Sequence, residues 1–184
     1  MGIKIYTDGS CSGNPGPGGW SFIILRDNRP DTGGNLQFWS SGFTNDEVEL
    51  IIEKSGAEAE TTNNRMELIA AKAALEVLSE LDPPPSGTVS AFTDSQYVQK
   101  GMSLWMKAWK RNGWRTGELK PLKNRDLWER LDELAAKFVI DWYWIKEYEG
   151  NEYNERCDYL TRRAIALLQG GNSEGPGVQR YLPF

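Results

Sequence analysis

Four acidic residues stand where carboxylates could share one chemistry. Asp8 and Asp94 each follow a short apolar run, and Glu67 and Asp158 each fall in the first turns of a predicted helix. Side chains at the ends of neighbouring strands converge, and two carboxylates there repel each other unless one is protonated or a cation lies between them. The spacing therefore favours a divalent metal site.

Each of these residues also has an ordinary structural interpretation. Asp8 and Gly9 could form only a turn, and Glu67, in the first turn of its helix, could simply suit the helix dipole. Asp158 lies one position away from the apolar face of the last predicted helix. The residues alone leave these alternatives open.

The chain has no histidine among its 184 residues. This excludes serine–histidine triads, imidazole zinc sites and the commonest general base at neutral pH. Any chemistry must rest on carboxylates, hydroxyls, lysines or metals. The formal net charge of -5 argues mildly against a nucleic-acid partner unless the positive charge is gathered in one place.

The length indicates one domain, and no apolar run is long enough to span a membrane. Met1 leads directly into the first predicted strand without a signal segment, so we expect a cytoplasmic protein. Cys11 and Cys157 suit free thiols in a reducing compartment, although one disulfide between them stays open.

The elements that must position the acidic residues begin with three closely spaced strands. In the first, Ile3 to Thr7, residues that face one side of the sheet alternate with residues that face the other. The second, 19–25, is rich in apolar and β-branched residues, and the pattern of the third, 48–53, predicts a strand with one buried and one largely solvated face. Strands in such close succession suggest an antiparallel meander. We expect the glycines between Gly9 and Gly19 to let the backbone turn sharply after Asp8.

Helical and strand patterns then alternate. A cluster of capping residues at 61–64 predicts the start of a helix, and the three prolines at 83–85 must end it. The apolar stripe of this helix consists of Met66, Ile69, Ala70, Ala73, Val77, Leu78 and Leu81. Strand 89–93 precedes a helical pattern, and Leu127, Leu131, Leu134 and Ala135 belong to a further helix. Segment 139–145 predicts a buried strand. The last helix, 154–168, has an inner face of Cys157, Leu160, Thr161, Ala164 and Leu168.

A basic and aromatic block runs from Trp105 to Arg125. It interleaves Trp105, Trp109 and Trp114 with seven cations, and Glu118 is its sole acid. Trp105 and Trp109 lie one helical turn apart, so packing onto the core is an equally good interpretation of the tryptophans. The clustered cations are typical of a protein that binds a phosphate backbone.

Five stretches carry a resemblance to a known family. TDGSCSGNPGPGGW, TTNNRMEL, TDSQYV, the block from Trp105 through Asp126, and NERCD occur in this order over most of the chain. In these stretches the chain resembles type 1 ribonuclease H. The resemblance implies an α/β ribonuclease H-like fold: a five-stranded mixed sheet, with an antiparallel meander of its first three strands, flanked by helices.

The resemblance also implies an activity. The protein would be an endonuclease that binds an RNA/DNA hybrid and hydrolyses the RNA strand with two Mg²⁺ ions, for which Mn²⁺ could substitute. The products would carry 5'-phosphate and 3'-hydroxyl ends. We expect a monomer with no obligate protein partner. Hard oxygen ligands suit magnesium, so the residue types fit this chemistry.

Site residues follow from the resemblance by position. Asp8, Glu67, Asp94 and Asp158 match the four metal-binding catalytic carboxylates. The substrate-binding positions, in the minor groove, at a DNA phosphate and on a basic protrusion, are matched by Cys11, Asn14, Thr62, Asn63, Asn64, Gln96, Trp105, Trp109, Lys110 and Trp114. Short polar side chains suit the reading of 2'-hydroxyls in a wide minor groove.

The chain departs from the family pattern in two places. Residues 27–46 form an insertion between the second and third strands. Tyr148 stands where the family usually has a histidine that assists proton transfer or product release, and with an ordinary pKa of about 10 it cannot replace that histidine near neutrality. Glu147 and Glu149 are possible loop contributors. We expect cleavage with reduced turnover.

The resulting organisation is a catalytic domain at 1–169, which includes the insertion at 27–46 and a basic protrusion at 103–125, followed by a flexible tail at 170–184. The sequence is also compatible with two other functions. One is a protein that binds RNA/DNA hybrids without cleaving them, which the missing histidine favours. The other is a different metal-dependent nuclease of the same fold, since a fold alone does not fix the reaction.

Overall fold

The structure, a computed structural model, describes residues 2–27, 48–146 and 150–171. Five strands form one sheet in the order β3-β2-β1-β4-β5. Their bounds are β1 Gly2–Cys11, β2 Gly16–Asp27, β3 Val48–Thr61, β4 Thr88–Thr93 and β5 Val139–Trp144. The first three strands pair antiparallel, while β4 is parallel to β1 and β5 is parallel to β4. The mixed sheet and its opening meander are therefore confirmed.

Helices cover both faces of the sheet. They are α1 Asn63–Glu80, α2 Gln96–Lys100, a π-helical turn at Gly101–Trp105, α3 Met106–Arg111, α4 Arg125–Ala135 and α5 Glu152–Leu168. The α1 helix lies between the sheet and α4, and α5 packs on β1, β2 and β3. Because α1 has neighbours on two sides, Leu68, Ala71 and Leu75 are buried although they lie outside the predicted stripe, whose members Ala73, Val77 and Leu81 are only partly buried.

The glycine-rich stretch is largely strand, which corrects the expectation of a sharp turn after Asp8. The β1 strand continues to Cys11, so Asp8 and Gly9 lie within it, and Gly16, Gly18 and Gly19 lie in β2. Of the five glycines from Gly9 to Gly19, only Gly13 has a positive φ, at 88°. Most of these glycines therefore allow close packing rather than turning.

Two strand predictions were partly wrong. In β3, Ile24 pairs with Ile52 but Leu25 pairs with Leu50, so a bulge breaks the alternation and leaves Leu50 49% exposed. The β5 strand was expected to be buried, yet it lies at the edge of the sheet, and Val139 is 67% exposed. Ile140 and Trp142 pack against the core, so only part of this apolar run is covered.

The last helix follows the prediction with one exception. Cys157, Leu160, Thr161 and Ala164 are buried, but the buried face ends at Ile165, so Leu168 in the last turn is 44% exposed. Both cysteines are free thiols. In the part of the chain that the structure describes, no helix is long and apolar enough to cross a membrane. Residues 28–46 of the insertion and 172–184 of the tail lie outside that part.

Candidate active site

Three of the four predicted carboxylates come together. Asp8, Glu67 and Asp94 each offer an oxygen, and these atoms all lie within 4.8 Å of one another. Asp8 and Asp94 share one level of the sheet because β1 and β4 are parallel neighbours with Thr7 opposite Thr93. Glu67 lies on α1, which packs across β1.

The approach of α1 to β1 depends on Gly9. A Cβ built on Gly9 would lie 2.3 Å from the Glu67 backbone nitrogen and 2.4 Å from the Met66 carbonyl carbon. Only glycine can occupy this place without displacing main chain. The missing side chain thus brings the Glu67 carboxylate within reach of Asp8, a role that the sequence pattern did not reveal.

The burial of this group decides between the alternatives for Asp8 and Glu67. Asp8 is 6% exposed and Glu67 is 5% exposed. Asp8 does not lie in a turn, and Glu67, the fifth residue of α1, lies beyond the first helical turn, contrary to the sequence prediction. Clustered buried carboxylates repel each other, and their hard oxygen atoms fit a divalent cation.

Asp158 stands on the second turn of α5, where its carboxylate pairs with Arg162 on the next turn. Among the described residues, the group of mutually close ligand atoms does not include Asp158. The preceding residue, Cys157, lies beneath the site: burial first, and then the negative charge of Asp8, raises the pKa of its thiol well above the ordinary value. The four-carboxylate site stays a prediction.

Several of the predicted substrate-binding residues lie on the chain segments next to these carboxylates. The Asn14 side-chain oxygen accepts a hydrogen bond from the Asn63 backbone N–H at 3.2 Å, which joins the glycine-rich loop to the start of α1. Thr62 is the N-cap residue of α1, and Asn64 is exposed. The Cys11 sulfur lies 3.2 Å from the Gly16 carbonyl oxygen and 3.4 Å from the Thr61 carbonyl oxygen, and either oxygen can accept its single S–H proton.

Gln96 is exposed at the start of α2 and accepts a hydrogen bond from Lys100 at 2.8 Å. Two residues that the sequence analysis did not single out also lie here. The Trp144 indole donates to the Asp94 carbonyl oxygen at 2.9 Å. The Arg65 guanidinium contacts both Asp126 carboxylate oxygens, at 2.7 and 3.2 Å, and this contact lowers the pKa of Asp126.

The basic protrusion has an aromatic base and a charged surface. Trp109 and Trp114 pack against the main core, whereas Trp105 is 36% exposed and contacts the Trp109 ring at 5.6 Å. Trp128, fully buried, supports Trp109 at a centroid distance of 5.0 Å. The packing interpretation therefore holds for Trp109 and Trp114, while a substrate-binding role for the three tryptophans stays a prediction.

The charges of the protrusion are partly balanced from outside it. Lys110 forms an ion pair with Asp132 on α4 at 2.7 Å, so the acid that opposes it lies beyond the basic block. Lys107, Arg111 and Lys123 are exposed. Glu147, Tyr148 and Glu149 lie outside the described residues.

The chain matches the RNase H family model over residues 2–166. The ribonuclease H of Paramagnetospirillum magneticum is 44% identical over 167 residues, which cover 91% of this chain and 92% of that protein. A solved relative, LC9-RNase H1, is described as a type 1 RNase H with the type 2 active-site motif. Its TM-score is 0.72 at 26% identity, over 92% of this chain and 75% of that one.

A second solved relative, LC11-RNase H1, was crystallised in complex with an RNA/DNA hybrid. It has a TM-score of 0.61 at 25% identity, and the match covers 91% of this chain and 99% of that one. These matches extend over nearly the whole described chain, including the strands and helices that carry the carboxylates. The protein belongs to the ribonuclease H family of endoribonucleases.

Proposed function

We propose that the protein hydrolyses the RNA strand of RNA/DNA hybrids with two divalent metal ions, Mg²⁺ or Mn²⁺, held by Asp8, Glu67, Asp94 and Asp158. The observation that carries this proposal is the group formed by Asp8, Glu67 and Asp94, with oxygen atoms within 4.8 Å of one another. Ions held there would supply an activated water and would stabilise the charge of an in-line displacement that leaves 5'-phosphate and 3'-hydroxyl ends.

The residues around this group would select the hybrid. The segments that carry the three carboxylates also carry polar side chains that can contact 2'-hydroxyls and base edges in a wide minor groove: Cys11, Asn14, Asn63, Asn64 and Gln96. The bond between Asn14 and the Asn63 backbone holds the two sides of this surface together. The solved relative bound to an RNA/DNA hybrid supports the substrate class.

Thr62 and the basic protrusion would hold the DNA strand. Thr62 occupies the N-cap position of α1 next to Asn63, and its side chain makes no capping hydrogen bond, so its hydroxyl can contact a phosphate from the same surface. The exposed cations of α3 and of the segment after it lie on one continuous stretch, from Lys107 to Lys123. Lysines and arginines that contact phosphates release counterions, so binding should weaken steeply with added salt.

The decisive experiment compares the protein with Asp94→Asn on an end-labelled RNA/DNA hybrid in Mg²⁺ and in Mn²⁺. We expect cleavage of the RNA strand alone and a loss of activity in the variant of at least about a hundredfold, since a metal ligand is removed. Duplex DNA and single-stranded RNA serve as control substrates. Binding of hybrid by both proteins without cleavage would favour the non-cleaving function instead.

A second experiment concerns Tyr148, whose position in the sequence motivates the proposal of reduced turnover. A histidine with an ordinary pKa near 6.5 can exchange protons at neutral pH, whereas tyrosine cannot. We expect Tyr148→His to raise kcat on the hybrid, with Tyr148→Phe as the matched control that leaves it unchanged. An unaltered kcat in the histidine variant would count against the role assigned to this position.

A further inference from the structure

Two buried hydroxyl groups, on Ser21 of β2 and Thr161 of α5, connect the strands to the helix that carries Asp158. The Thr161 hydroxyl donates to Ser21 Oγ at 2.9 Å, and the Ser21 hydroxyl donates to the Cys157 carbonyl oxygen at 2.8 Å. Ser21, Thr161 and Cys157 are fully buried. Water therefore does not compete for these bonds, which strengthens them as constraints on position.

The two ends of this connection are next to proposed metal ligands. Ser21 is the cross-strand partner of Asp8 in the β1–β2 ladder, and directly opposite residues project from the same face of a sheet. Thr161 Oγ1 also lies 3.5 Å from the Asp8 carbonyl oxygen. At the other end, Cys157 immediately precedes Asp158. The hydroxyl pair thus connects the strand segment that carries Asp8 to the helical turn that carries Asp158.

The direction of the bonds follows from the number of protons. Each hydroxyl has one proton to donate, so Thr161 donates to Ser21, and Ser21 donates to Cys157. The Cys157 carbonyl belongs to the interior of α5, where it already accepts within the helix. The bond from Ser21 is an additional contact on that carbonyl, which places its role in the packing of α5 rather than in helix formation.

Close packing at Gly19 allows this arrangement. A Cβ built on Gly19 would lie 2.6 Å from the Thr161 carbonyl oxygen and 2.9 Å from Ile165 Cγ1. The α5 helix therefore rests directly on the β2 backbone. Apolar contact fixes the distance between the two, but it is not directional. The hydroxyl bonds add direction, because they hold only at one rotation and one height of the helix.

We propose that Ser21 and Thr161 are positioning residues that fix the rotation of α5, and thereby hold Asp158 where its carboxylate can turn from Arg162 to an ion bound by Asp8, Glu67 and Asp94. This inference rests on the proposed function, since it takes Asp158 as a metal ligand. Neither residue needs to touch metal or substrate. Loss of either hydroxyl leaves the three-carboxylate group intact but lets α5 turn, so Asp158 is less often within reach of an ion bound there.

The test measures Mg²⁺ binding by calorimetry in the absence of substrate, together with kcat and KM on the hybrid. We expect Ser21→Ala and Thr161→Val each to lower Mg²⁺ affinity about tenfold, the lower end for groups that orient metal ligands. The kcat falls while the KM for hybrid is unchanged. Thr161→Ser keeps the hydroxyl, so its Mg²⁺ affinity and its kcat should equal those of the parent.

Ile165→Val is the matched control, because it loosens the same contact between α5 and β2 without removing a hydroxyl. It should lower the melting temperature and leave Mg²⁺ affinity unchanged. The inference is overturned if this control loses as much affinity as Thr161→Val, or if both hydroxyl variants bind Mg²⁺ like the parent. A parent that binds Mg²⁺ but does not cleave would refute the proposed function, while the affinities would still decide this inference.

Discussion

The carboxylate group and the basic protrusion are built in opposite ways. Asp8 and Glu67 are almost fully buried, on main chains packed so closely that Gly9 has no room for a Cβ. The cations of the protrusion project into solvent, and the segment after α3 contains three non-glycine residues with positive φ: Trp114, Leu119 and Asn124. Ligand geometry is fixed by packing, whereas contact with a phosphate backbone needs charge that can adapt.

The protrusion nevertheless has a rigid base. The Trp128 indole donates to the Tyr97 hydroxyl at 3.0 Å, and a Cβ on Gly101 would lie 2.0 Å from the Trp128 ring. Gly101 is the first residue of the π-helical turn, so this close approach seats the helical stretch that leads into the protrusion. The difference between the two regions therefore lies in the exposed side chains, not in their anchoring.

One ion pair joins the two regions. Arg65 stands two residues before Glu67 on α1, and Asp126 is the second residue of α4, directly after the protrusion. Their two-pronged contact connects the helix of a proposed metal ligand to the base of the proposed DNA-binding surface. Substitutions can therefore test three places: the packed carboxylate group, the ion pair of Arg65 with Asp126, and the exposed cations of the protrusion.

Gly9→Ala should have the largest effect, because it breaks the packed site without altering a carboxylate. The new Cβ would collide with backbone atoms of Met66 and Glu67, so α1 must move away from β1. We expect activity to fall by at least about a hundredfold, and overpacking of this kind costs about 1–3 kcal/mol of unfolding free energy. Cleavage assays and urea unfolding measure the two effects.

Gly2→Ala is the control for this experiment, since nothing lies within 4 Å of a Cβ at that position of the same strand. It should retain full activity. An active Gly9→Ala protein would show that α1 can shift without separating Glu67 from Asp8. The packed site would then be less rigid than its burial suggests.

Asp126→Asn removes the ion pair with Arg65 and should have a smaller effect on stability than Gly9→Ala. The Arg65 guanidinium lowers the pKa of Asp126, so the pair stabilises the fold above the unfolded-state pKa of about 3.9 and loses this contribution as the pH falls through the folded-state pKa. Because the Asp126 side chain is 60% exposed, we expect a loss of less than about 1 kcal/mol at neutral pH.

The measurement for Asp126 is urea unfolding between neutral and acid pH. The parent should lose stability more steeply on acidification than Asp126→Asn, and Arg65→Gln should flatten the curve similarly because it removes the partner that lowers the pKa. If the unfolding free energies of the parent and of Asp126→Asn depend on pH in the same way, the ion pair does not stabilise the contact between α1 and α4.

The features that the sequence predicted are those written in local patterns. Alternation in β1, the capping cluster before α1 and the apolar spacing of α4 each report the immediate surroundings of a few neighbouring residues. Together with the order of the family motifs, these patterns correctly predicted the meander and the proximity of Asp8, Glu67 and Asp94.

The features that the sequence did not predict depend on distant contacts. The requirement for glycine at Gly9 comes from α1, which lies more than fifty residues further along the chain. The exposure of Val139 in β5 follows from an edge position, and an apolar run looks the same at an edge and in the centre of a sheet. The bond between Ser21 and Thr161 has no local signature at all.

The smallest expected effect comes from the charged surface, where Lys107 and Lys110 form a natural comparison on α3. Lys107 is exposed, whereas Lys110 is paired with Asp132. If Lys107 contacts a phosphate, Lys107→Gln should reduce the slope of log affinity for hybrid against log salt by about one. Lys110→Gln should change it less, because Asp132 already neutralises part of its charge. Lys137→Gln, near the end of the sheet opposite Asp94, makes the same charge change and should leave the slope unaltered. Equal slopes for all three variants would remove α3 from the DNA-binding surface, while the carboxylate site would be unaffected.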